Sequence, residues 1–61
     1  MKKIIVAQLL VNVVMDHAIA CGKRVGLPIV HKVSSGYMIF KDMETFNSWK
    51  NSGSKEENIY E

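Results

Sequence analysis

The sequence predicts a small α+β domain in the order helix, hairpin, helix (α-β-β-α), completed by homodimerisation. Three observations predict it. Residues 2–21 (KKIIVAQLLVNVVMDHAIAC) form a long apolar run with one narrow polar stripe. Residues 27–40 hold two short β-rich segments around Ser34-Ser35-Gly36, and residues 42–50 carry a capped amphipathic pattern. Residues 1–50 are therefore expected as one domain, with 51–61 as a flexible polar tail.

Turned at about 100° per residue, Gln8, Asn12, Asp16 and Lys23 fall within roughly 80° of one another, and the other sides are dry. The length also favours a helix, because strands average about 5–6 residues. A second reading stays open: the β-branched residues Ile4, Ile5, Val6, Val11, Val13 and Val14 suit a strand over about 3–14, followed by a short helix capped by Asp16. A helix with three apolar sides must be covered. One hairpin and one short helix cannot surround it, so Val6, Leu9, Leu10, Val13 and Val14 are expected to meet a second copy.

Gly22-Lys23-Arg24-Val25-Gly26-Leu27-Pro28 reads as a helix stop, with basic residues for the carboxyl end, a glycine for a left-handed cap and a following proline. A phosphate-loop reading of Gly22-Lys23 fails, since no Ser or Thr follows the lysine and no upstream glycine stands at the required place. Leu27–Val33 and Tyr37–Phe40 then form a hairpin through a three-residue loop in which Gly36 supplies positive φ. Both hairpin faces carry apolar residues, so cover on more than one side is expected. Asp42 caps a helix over about Met43–Lys50, with Met43, Phe46 and Trp49 as its buried stripe. The tail NSGSKEENIYE has the composition of a frayed end, with Ile59-Tyr60 as its one possible docking element.

Size and composition bound the function. A chain of 61 residues buries only about 60% of its unfolded surface, and such domains lean on disulfides, metal or oligomerisation. The single Cys21 forbids an internal disulfide and fits a reducing cytoplasm. A net charge of +2, from eight basic and six acidic residues, falls short of a nucleic-acid footprint.

Little chemistry is expected. On a helix His17 and Cys21 share a face and would supply two zinc ligands, with His31 as a candidate third and a dimer able in principle to combine two pairs, but a structural site takes four, usually richer in Cys. No metal and no cofactor is therefore expected. Asp16 cannot orient its neighbour His17, and Ser34 and Ser35 have no base beside them. No catalytic residues are assigned, and the chain is not expected to be an enzyme. The apolar run is too short and interrupted to span a bilayer, which takes about 20 apolar residues. A basic start, an apolar middle and Ala18-Ile19-Ala20-Cys21 do outline a lipoprotein-type signal over 1–20, the third reading of the chain.

The first reading is a cytoplasmic, homodimeric protein-binding regulator or inhibitor, of the kind bacteriophages and mobile elements encode. Lys23, Arg24, Lys32 and Tyr37 are its candidate partner contacts. The second reading is DNA binding. Leu27-Pro28, the hairpin through Lys32-Val33-Ser34-Ser35-Gly36-Tyr37 and the helix carrying Trp49 resemble the wing and last helix of excisionase-type winged-helix proteins. The resemblance covers the second half only. Where that family has two short helices before the wing, this chain has one apolar run ending at Gly22. The resemblance implies phosphate contacts from Lys23, Arg24, Lys32 and Lys41.

Overall fold

A computed structural model describes residues 3–61. It is an α+β structure of six elements: β1 (Ile5–Val11), α1 (Met15–Val25), β2 (Ile29–Val33), β3 (Gly36–Phe40), α2 (Met43–Asn51) and β4 (Ile59–Tyr60). The strands form one antiparallel sheet in the order β2-β3-β1-β4. The expected order α-β-β-α is thus corrected to β-α-β-β-α-β.

The long amino-terminal helix is not present. Its first residue, Lys2, lies outside the described residues; of the rest, residues 5–11 are a strand and 15–25 a shorter helix, close to the second reading. The reason is the position of β1 between β3 and β4, with a helix over each face of the sheet. A strand covered on both faces reads as a continuous apolar run, which periodicity alone cannot tell from a buried helix. Asn12, at φ 58°, ends the strand in a left-handed conformation that asparagine tolerates. Asp16 sits in the first turn of α1 and not at its cap, which is Val14.

Strand alternation divides the apolar residues between two layers. Ala7, Met38 and Phe40 share one face with Leu9, Ile29 and Val33, and α2 covers it through Phe46 and Trp49. Phe40 meets the rings of Phe46 and Trp49 at 5.2 and 5.0 Å between centroids. Ile39 points to the opposite face, where α1 lies with its small buried residues, Ala18 and Gly22. A Cβ on Gly22 would collide with the Leu27 carbonyl oxygen and reach Ile39 Cγ2 at 3.6 Å. Gly22 therefore permits close packing, while the left-handed cap is Gly26 at φ 80°. The Leu27 amide donates to the Gly22 carbonyl at 2.7 Å and closes the helix end.

The hairpin turns through Ser34-Ser35 alone, with Val33 opposite Gly36. Gly36 has the expected positive φ, 158°, and a second need for glycine: any Cβ there would strike the Leu10 carbonyl oxygen of β1. In α2 the cap is as expected, Asp42 Oδ1 accepting the Thr45 amide at 2.8 Å. Met43, expected in the buried stripe, is exposed.

Residues 51–61, expected as a flexible tail, begin with the last residue of α2 and are then tied to the body. The Trp49 indole N–H donates to the Lys55 carbonyl at 2.6 Å. The Ser35 amide donates to Glu56 Oε1 at 2.9 Å, and the Leu9 amide to Asn58 Oδ1 at 2.9 Å. Ile59 and Tyr60 pair with β1 across a register shift that gives β1 one extra residue, a bulge. Polar composition concealed these contacts because the tail makes them through a backbone carbonyl and polar side chains.

Candidate interaction surface

Helix α1 buries small side chains and exposes larger ones. Ala18 and Gly22 face the sheet, while Val14 is 70% exposed, Met15 53%, Val25 49% and Ile19 36%. A helix evolved only to cover a sheet would place its bulky residues inward. The cap has the same character. Val14 occupies the N-cap with extended backbone and no side-chain hydrogen bond. Ser, Thr, Asp or Asn at that position would stabilise the helix by about 1 kcal/mol relative to an apolar residue.

Positions 14, 17, 21 and 25 fall along one flank of the helix. That flank reads Val14, His17, Cys21, Val25, and Cys21 Sγ lies 3.4 Å from His17 Nε2. Met15 and Ile19 lie along the other flank.

The expected self-association residues separate. Val6 is buried within the chain, and Leu9 is half-buried and packs against its core. Leu10 and Val13 are half-buried, and Val14 is exposed. Of the expected partner contacts, Lys23 and Arg24 are exposed in the last turn of α1. Lys32 and Tyr37 pair across β2 and β3, with Lys32 Nζ 5.4 Å from the Tyr37 ring centroid. Lys41 faces Glu61 across 4.0 Å at the surface, a contact worth little. Hairpin residues belong to the sheet, β3 being an inner strand paired with β1 and β2.

Met15, Ile19 and Val25 were not singled out from sequence. The available signal was the spacing of Ala18 and Gly22, which marks the inward side and leaves the larger residues outside.

A cleft of about 290 Å³ runs between α2 and the carboxyl-terminal segment, lined by Glu44, Ser48, Trp49, Lys55, Glu57 and Tyr60 among others. Its volume is at the lower limit for ligand pockets, about 300 Å³. Its lining contains no histidine, cysteine or arginine. Two carboxyl groups outside it are held below the ordinary range. Asp42 is lowered by the Thr45 amide and hydroxyl at the α2 cap, and Glu56 by the Ser35 hydroxyl and amide at the hairpin turn. Both are structural ties.

No helix among the described residues is long and apolar enough to cross a membrane. Comparison of the chain with family models, curated proteins and solved structures finds no match to any of them.

Proposed function

We propose that the chain is a small protein-binding regulator that works as a homodimer, with α1 as its contact helix. The observation that carries this reading is Val14, an exposed apolar residue at an N-cap where the fold itself favours a polar one. Sites where local preference is broken without a structural gain are where function is to be sought. Val25, Met15 and Ile19 extend the same apolar character along both flanks of the helix. Two copies related by a two-fold axis would lay one α1 against the other along the flank of Val14 and Val25, each covering those residues of its partner.

Sedimentation velocity across low micromolar concentrations, in the presence of a chelator, tests the reading. The expected mass is twice that of one chain. Because the contact is apolar, raising salt from 50 to 200 mM should leave that mass unchanged. A single-chain mass throughout the range would overturn the proposal. So would retention of a DNA duplex that collapses over the same salt range, the signature of phosphate contacts.

A further inference from the structure

His17 and Cys21 are one turn apart on α1, exposed and half-buried respectively, and they meet at 3.4 Å. That separation is close to the spacing of two ligands on one ion. With Zn–S about 2.3 Å and Zn–N about 2.0–2.1 Å at a tetrahedral angle, sulfur and nitrogen stand about 3.6 Å apart. Imidazole Nε2 and thiolate are both zinc ligands, and the helix backbone has already fixed their spacing. Among the described residues no third His, Cys, Asp or Glu joins them. The chain therefore holds two ligands where a closed tetrahedral site takes four.

We propose that His17 and Cys21 are half of a zinc-type metal site that a second copy of the chain completes as Cys2His2. The inference rests on the self-association proposed above, because a two-fold axis running beside this flank supplies the second pair automatically. An ion on that axis receives from each copy the same two ligands. The pair lies between Val14 and Val25 on the helix flank, so an interface there would surround the ion with apolar side chains and exclude water. On binding, Cys21 gives up its thiol proton to solvent, and the ion takes the sulfur and nitrogen lone pairs.

Titration of the reduced chain with Co2+ tests the site. The expected result is a thiolate-to-cobalt charge-transfer band with intense tetrahedral visible bands, saturating at one Co2+ per two chains and bleached by Zn2+. Cys21→Ser and His17→Ala, both at accessible positions, should each abolish the tetrahedral spectrum while leaving the far-ultraviolet dichroism intact. Absence of the charge-transfer band, saturation at one ion per chain, or unchanged binding by Cys21→Ser would overturn the site. Mass measured in chelator keeps the two proposals apart. A metal-free dimer with no cobalt spectrum removes the metal site and leaves the association standing. A metal-free monomer that still binds one Co2+ per two chains supports the metal site and removes the purely apolar contact.

Discussion

Gly22 shows how one residue lets the chain turn back close against the helix it has just left. Its missing Cβ lets α1 settle against the Leu27 carbonyl, a backbone group that cannot rotate away. Gly22→Ala should therefore lower the melting temperature, although alanine is the better helix former by about 1 kcal/mol. Overpacking costs roughly 1–3 kcal/mol and should win. A melting temperature equal to or above that of the native chain would show that the turn after α1 has slack. Asp42 acts through charge as well as geometry. Its carboxyl is held below the ordinary range by the Thr45 amide, so its contribution is present above the unfolded carboxyl value near 3.8 and is lost as pH falls through the lower folded value. Asp42→Ala should destabilise the chain at pH 7, and the difference from the native chain should shrink as pH drops below 4. A difference independent of pH would contradict the cap.

At the scale of elements, the sheet holds together through what α2 and the last ten residues bring to it. Trp49, 4% exposed, packs on Phe40 and Phe46 and anchors the Lys55 carbonyl. Removing such a side chain costs about 3–5 kcal/mol. A chain of this length has only about 3–9 kcal/mol in total. Trp49→Ala should abolish or nearly abolish the cooperative thermal transition. Asn58→Ala is a local test: the Leu9 amide loses its acceptor, and hydrogen exchange there should quicken while the Met38 amide stays protected. Equal exchange at Leu9 in both proteins would show that the carboxyl-terminal segment is not docked. The α2 cap and the hairpin were legible in the sequence because each rests on neighbours within a few positions, Asp42 with Thr45 and Val33 with Gly36. The nature of residues 5–11 was not legible, since it depends on β3, β4 and two helices arriving from elsewhere. Docking of the tail was hidden for the same reason: Asn58 and Leu9 are 49 residues apart. At the surface, His17 and Cys21 were foreseeable from their spacing, whereas the outward placement of Met15, Ile19 and Val25 required knowing which side of α1 the sheet takes.

As a whole, the described residues form a four-stranded sheet with one helix covering each face, and the two helices differ. Helix α2 places its aromatic residues inward, whereas α1 places its small residues inward and leaves Val14, Met15, Ile19 and Val25 toward solvent. That asymmetry is what supports the proposal that α1 is the self-association helix. One substitution separates folding from assembly there. Val14→Asp supplies the missing cap to the fold and puts a charge into the contact. If the proposed contact holds, the native protein sediments as a dimer and the variant as a single chain at the same concentration, while the variant's own folded chain gains about 1 kcal/mol in urea unfolding followed under monomeric conditions. A Val14→Asp protein with the native mass would contradict the assignment of α1 as the contact helix.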